Sequence, residues 1–140
     1  MTNRKLVDIV RDQKPLVLAE HKTVQQACRR MWKRRTGSVL VIDNQQRLIG
    51  IFTARDAVRA LAEGKDAEVT PLEQAMTPNP ITIAPDSRAI DALRQMCDRG
   101  FRHLPVVENG KIWGVVSRGD FKGMELDQLD EEIQLWECIR

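Results

Sequence analysis

The sequence has no tyrosine, only three phenylalanines and only three tryptophans. So few aromatic side chains leave no evident platform on which the bases of a single-stranded nucleic acid would stack. An excess of one charge is also missing: 22 Lys and Arg stand against 20 Asp and Glu. A net charge of +2 does not by itself call for nucleic acid or an anionic membrane. No apolar run approaches the roughly 18 residues of a membrane-spanning helix. The opening "MTNRKLVDIVRDQ" is charged throughout and has no apolar signal core. The expectation is an intracellular protein, cytoplasmic if the cell is a bacterium.

Cysteine is scarce. Cys28, Cys97 and Cys138 are odd in number and form no C-x-x-C spacing. Neither a disulfide framework nor a zinc site is expected, and the three read as reduced packing residues. His21 and His103 occupy unrelated positions and give no metal pair. No Cys or Ser stands in a nucleophile setting, so no catalytic set, no metal and no covalent cofactor are expected.

What the chain does contain is a repeat, and a repeat decides the fold. "KPLVLAEHKTVQQACRRM" (14–31) aligns with "NPITIAPDSRAIDALRQM" (79–96). Pro15 falls on Pro80, Ala19 on Ala84, Ala27 on Ala92 and Met31 on Met96, each 65 positions on. "GSVLVIDNQQRLIGIFTARD" then aligns with "RHLPVVENGKIWGVVSRGD", one residue shorter in its polar connection, so the offset drops to 64. Gly50 meets Gly114, Thr53 meets Ser117 and Asp56 meets Asp120. The copies are assigned to 1–66 and 67–125, with "EGKDAEVTPLEQ" (63–74) as a polar linker between them.

Each copy has the same local grammar. A short apolar strand follows a proline, "PLVLA" or "PITIA". Val24, Ala27, Cys28, Met31 and Trp32 then recur at the spacing of an amphipathic helix with one buried face, as do Ala89, Ala92, Leu93, Met96 and Cys97. Two strands follow, joined by a polar turn whose "NG" in copy two is a hairpin signal. A second helix starts at Thr53 or Ser117. Each copy therefore reads β-α-β-β-α, an α+β fold. A unit of about 55 residues buries too little apolar surface to stand comfortably alone, which favours a pair sharing a core.

The phrase that recurs, "GIFTARD" and "GVVSRGD", ends in T-x-x-D or S-x-x-D. The plain role of that ending is a helix cap: the hydroxyl accepts from a backbone N–H, and the acid suits the positive end of the helix. A helix start also attracts anions, and a carboxylate one turn in can accept from two vicinal hydroxyls of a ribose. The residues alone leave both roles open.

"EQAMTPNPITIAPDSRAIDALRQM", "RHLPVVENGKIWGVVSRGD" and their echoes in copy one resemble a tandem pair of CBS domains, the module named after cystathionine β-synthase. The resemblance spans nearly the whole chain. It implies two repeats packed with pseudo-twofold symmetry, clefts between them that bind adenine nucleotides, and pairing of modules into homodimers. Carried over residue by residue, one ligand site would use Thr82, His103, Pro105, Ser117, Arg118 and Asp120. The other would use Val17, Ser38, Leu40, Thr53, Arg55 and Asp56. Copy two has a hydroxyl at Thr82 where copy one has Val17, and "RHLP" where copy one has "GSVL". The second site is expected to be the better one.

Two features fall outside this pattern. The run "RRMWKRR" (29–35) reads as the solvated face of the first amphipathic helix, with Met31 and Trp32 in its buried stripe. A polyphosphate rim or a nucleic-acid contact are the alternatives. "LDQLDEEIQLWECIR" (126–140) reads as a C-terminal helix with Leu126, Leu129, Ile133, Trp136 and Ile139 or Arg140 on one side. It packs either on its own module or across a dimer interface. The expected function is a regulatory module that senses AMP, ADP or ATP and reports to an effector protein. Set against it are a ligand-free interaction scaffold and, ranked below that, a nucleic-acid-binding module.

Overall fold

The computed structural model describes residues 4–121. The helix expected at 126–140, and Cys138 with it, lies outside the described residues. Packing divides the chain into two compact units: Pro15–Pro80, and the residues up to Lys14 together with those from Ile81 onward.

In the unit Pro15–Pro80 the elements run β1 (Val17–Ala19), α2 (Val24–Arg34), β2 (Ser38–Ile42), β3 (Leu48–Thr53), α3 (Ala54–Ala62), α4 (Leu72–Ala75) and β4 (Thr77–Pro78). The four strands form one sheet in the order β1-β2-β3-β4, parallel at its first pair and antiparallel at the others. Val24, Ala27 and Met31 of α2 pack with Val39, Val41 and Phe52 of the sheet and with Leu72 and Ala75 of α4. Phe52 is fully buried, and removing such a ring from a core costs about 3–5 kcal/mol.

Helix α2 is capped on both sides of Thr23: its hydroxyl accepts from Gln26 N at 3.2 Å, and Gln26 Oε1 accepts from Thr23 N at 2.9 Å. The first-turn N–H groups of α2 find partners in the supposed linker. Val24 N donates to Thr70 O and Gln25 N to Ala67 O, both at 2.9 Å. Residues 63–74 are thus folded onto the helix start rather than strung between copies.

The other unit holds α1 (Leu6–Val10), α5 (Ala89–Arg99), β5 (His103–Glu108), β6 (Lys111–Ser117) and a single 3-10 turn, Arg118–Asp120. Ala89, Ile90, Ala92, Leu93 and Met96 of α5 pack on Leu104, Val106 and Val116, and Leu6 and Val10 of α1 join the same core. The β5–β6 hairpin turns at Asn109 and Gly110, both with positive φ, as its "NG" requires. The repeat is visible in detail: each hairpin carries a register shift at aligned positions, Val41/Ile42 and Val106/Val107.

Three further expectations need correction. First, "PITIA" forms no strand; it keeps one parallel bridge, Ile83 to Val106. In the other unit β1 is framed by Leu40 N donating to Leu16 O and Glu20 N donating to Ile42 O. The aligned donors are Pro105 and Pro85, which have no N–H, so both framing bonds are impossible. Only Ile83 N to Pro105 O (3.0 Å) and Val107 N to Ile83 O (2.9 Å) remain. Second, the helix expected from Ser117 is described only as its first 3-10 turn. Third, Trp32 is 86% exposed and not part of the buried stripe. At 100° per residue it lies about 80° past Val24, outside the arc set by Val24, Ala27 and Met31, and only the latter three are buried.

The packed units and the sequence copies are also cut at different places. α1 precedes β1 in the sequence yet packs on β6, while α4 and β4 open the second copy yet complete the sheet beside β3. Each copy's opening segment therefore belongs to the other copy's core.

Candidate functional site

The exchange of opening segments explains the glycine in the recurring phrase. β3 passes β4 with Gly50 opposite Pro78 and Ile51 opposite Thr77. A Cβ on Gly50 would collide with the Met76 side chain. In the other unit Gln13 replaces the strand: its Nε2 donates to Val115 O at 2.8 Å and its Oε1 accepts from Val115 N at 2.7 Å. A Cβ on Gly114 would come about 2.5 Å from Gln13 Oε1 and 2.9 Å from Val10 Cβ. Glycine is needed in both copies because something packs directly on the strand there. Of the apolar positions that follow, Phe52 and Val116 are fully buried.

The hydroxyl and the acid then close a cap. Asp56 Oδ2 accepts from Thr53 N at 2.9 Å and from Thr53 Oγ1 at 3.1 Å. Asp120 Oδ2 accepts from Ser117 N at 2.7 Å and from Ser117 Oγ at 3.3 Å. The two copies differ at the second carboxylate oxygen. Asp56 Oδ1 accepts from Thr77 Oγ1 at 3.0 Å and is paired with Arg59 Nη2 at 3.0 Å. Asp56 is 4% exposed. Asp120 is half-buried, and its Oδ1 has no hydrogen-bond partner among the described residues.

The remaining residues of the Asp120 group come together in one unit. His103 lies opposite Ser117, and Pro105 opposite Val115, so these positions share one face of the β5–β6 hairpin. Leu104 and Val106 take the other face, in the core. Thr82 is exposed beside Ile83, which bridges to β5. His103 is held below the ordinary imidazole range, chiefly by burial; the Asp120 carboxylate opposes this and Arg102 adds to it. Burial thus favours the neutral imidazole. Arg118 is turned onto α5, its Nη2 donating to Cys97 Sγ at 3.4 Å.

In the Asp56 group, Ser38 lies opposite Thr53 and Leu40 opposite Ile51, with Val17 beside Leu40. Ser38 is 6% and Leu40 1% exposed. Arg55 is exposed. This set offers a buried hydroxyl and apolar side chains, and its carboxylate is committed.

The CBS domain family matches residues 6–63 and 72–124. The chain belongs to the CBS domain family. A CBS domain-containing protein of Arabidopsis thaliana is 47% identical over 109 residues, 77% of this chain and 20% of that protein. The chain spans about a fifth of the length of the plant relatives it matches. A solved CBS domain protein from Pyrobaculum aerophilum, complexed with AMP, superposes with a TM-score of 0.82 at 25% identity, covering 91% of this chain and 98% of that one. The CBS domain pair of protein MJ0100, in complex with 5′-methylthioadenosine and S-adenosyl-L-methionine, superposes with a TM-score of 0.75 at 25% identity, covering 83% and 94%.

Within this CBS pair, sequence reasoning missed three contributors. Thr77 and Arg59 occupy Asp56 and carry no signal of it in the sequence. Their aligned positions in the other CBS repeat are Asp12 and Gly123, neither of which can donate to a carboxylate from a side chain. Arg4 is the third: its Nη2 donates to Asp120 O at 2.8 Å, setting a cation beside the second repeat's cap. Its distance of 116 positions from Asp120 hid it. Among the described residues no three His, Cys, Asp or Glu gather as metal ligands, and no helix is long and apolar enough to cross a membrane.

Proposed function

We propose that this CBS pair is a regulatory sensor that binds an adenine nucleotide at the Asp120 site and reports it to an effector protein. The observation that carries the proposal is the unequal use of the two aligned carboxylates. Asp56 is buried with both oxygens engaged, whereas Asp120 keeps Oδ1 without a hydrogen-bond partner among the described residues. A carboxylate oxygen held in place by its own cap, yet with spare acceptor capacity, suits the vicinal hydroxyls of a ribose. Arg4 and Arg118 supply positive charge for phosphate, Ser117 a hydroxyl, and Thr82 an exposed hydroxyl for a base edge. The AMP complex of the Pyrobaculum relative supports the ligand class.

His103, whose burial favours the neutral form, then acts as a ring and a hydrogen-bond group. Thr53, Asp56, Ser38, Leu40, Val17 and Arg55 serve the first repeat's structure in this proposal, not a second equal nucleotide site. No chemical step is assigned; the output is a change in the populations of conformations, limited by the ligand's differential affinity for them. Pairing of modules into a homodimer is part of the same proposal.

Thermal denaturation with AMP, ADP, ATP and S-adenosylmethionine tests it. A ligand that binds only the folded chain stabilises it by mass action, by about 2.7 kcal/mol at a hundredfold excess over Kd, and so raises the melting point. A shift with at least one adenine nucleotide is expected. No shift with any of the four favours the ligand-free scaffold, for which the exposed Trp32, Val58 and Leu61 are the specific observation.

A further inference from the structure

Within the unit Pro15–Pro80, helices α2 and α3 share an apolar face that no described residue covers. On α3, Val58 is 66% and Leu61 79% exposed. At 100° per residue they fall on one side with Ala54 and Ala57, opposite the buried Asp56 and Ala60. On α2, the exposed Trp32 lines an open hollow of about 810 Å³ together with Cys28 and Met31, and Ala54 and Ala57 of α3 complete its wall. The hollow thus joins the tryptophan to the α3 face. Single exposed apolar residues are ordinary, whereas large ones grouped around a concave surface mark an interaction site.

The charge around this face has one sign. Val24–Arg34 contains no acid, and the single acid of Ala54–Ala62, Asp56, is buried on the far side. Arg29, Lys33 and Arg35 on the α2 side and Arg55 on the α3 side are exposed. None of these four is in an ion pair among the described residues. Lys33 and Arg35 line the hollow itself. Cations without counter-charges around an apolar centre fit a partner that is apolar in its middle and acidic at its edges.

The shape narrows the choice. A groove between two helices takes the ridge of a third, which offers apolar side chains at i, i+3, i+4 and i+7. The same face of a second copy would set like charges against one another. A flat anionic lipid surface would meet the cations and Trp32 but leave the hollow unfilled, and a nucleic acid would leave the apolar centre uncovered. We propose that the α2–α3 face docks an acidic amphipathic helix of the effector protein, its apolar stripe on Trp32 and in the hollow, its carboxylates against Arg29, Lys33, Arg35 and Arg55. This rests on the reading of the chain as a module that reports to an effector, and adds the chemistry that the effector presents.

Two designed helical peptides of about 18 residues, or about five turns, test it on the full chain without nucleotide. Both carry leucine at i, i+3, i+4 and i+7, and they differ only in having glutamate or lysine along the flanks. By fluorescence anisotropy the glutamate peptide should bind at least about tenfold tighter than the lysine peptide, and less tightly as salt rises. Trp32→Glu should weaken that binding at least about tenfold, as for loss of an aromatic anchor. The double change Arg29→Glu with Lys33→Glu should turn the preference toward the lysine peptide. These side chains are exposed, so the variants should fold, which circular dichroism checks, and the preference of the parent chain needs no variant. Equal binding of the two peptides, binding of neither, or binding unmoved by Trp32→Glu overturns the proposal. A dimer in sedimentation that Trp32→Glu splits also overturns it, giving the face to a second copy. Retention on phosphatidylserine vesicles that Trp32→Glu abolishes overturns it in favour of lipid. With no nucleotide in the titration, its failure leaves the thermal-denaturation result standing, and the absence of a thermal shift leaves the peptide preference standing.

Discussion

Thr77 donates its hydroxyl to Asp56 at 3.0 Å, and the position aligned with Thr77 in the other repeat is Asp12, which as a carboxylate has nothing to donate. The same divergence occurs at Arg59, whose aligned position is Gly123. Two copies of one phrase have thus been put to different uses. In the first, the acid ties α3 to the segment around Thr77; in the second, the acid caps a turn and retains an acceptor.

Asp56→Ala should therefore be mainly a stability lesion. It removes a cap, worth about 0.5–2 kcal/mol, together with the charge-assisted contacts to Thr77 and Arg59, for a total loss of about 2–3 kcal/mol. Asp120→Ala loses only its cap bonds to Ser117 and should cost about 1 kcal/mol. Urea denaturation midpoints of the two variants measure the difference; equal midpoints would contradict the assignment.

Gly50→Ala and Gly114→Ala should each destabilise by about 1–3 kcal/mol, the usual range for forcing atoms into a packed site. The Gly114 change should also release Gln13 from Val115, since the new Cβ would meet the Gln13 amide. Faster amide exchange at Val115 is the specific sign. Exchange at Val115 unchanged from the parent chain would show that the Gln13 amide is not what Gly114 accommodates.

The depressed His103 pKa gives stability a pH dependence of known sign. Below the ordinary value of 6.5 an unfolded His binds a proton that the buried imidazole resists. The unfolded state then holds more protons, so stability is full above that value and is lost as pH falls from it toward the folded value. His103→Gln should remove this slope between pH 7.5 and pH 5.5 relative to the parent chain. An unchanged slope, measured by urea denaturation at the two pH values, would mean that another group carries it.

The repeat made most of this fold legible. Hairpins, capping hydroxyls and the core faces of both long helices follow from spacing alone, because they are local patterns. What stayed hidden depended on distant parts of the chain. The exchange of opening segments could not be seen because α1 and α4 are too short to show a periodicity. "PITIA" resembles a strand in composition, and its failure lies in two prolines on opposite sides of the missing ladder. Trp32 follows Cys28 at i+4 and so fits the helical spacing, but it lies about 80° past Val24, outside the arc that is buried. In the candidate site, both aspartates were evident from the phrase, but the occupancy of their second oxygens was not. It depends on Thr77 and Arg59, which no motif marks.

The central claim is that one adenine nucleotide binds per chain and that Asp120 holds it. Calorimetric titration of AMP into the parent chain, Asp120→Ala and Asp56→Asn tests it most directly. One site per chain is expected, with at least about tenfold weaker binding in Asp120→Ala, equivalent to about 1.4 kcal/mol, and near-parental affinity in Asp56→Asn. Two equal sites, or a greater loss from the Asp56 change than from the Asp120 change, would contradict it.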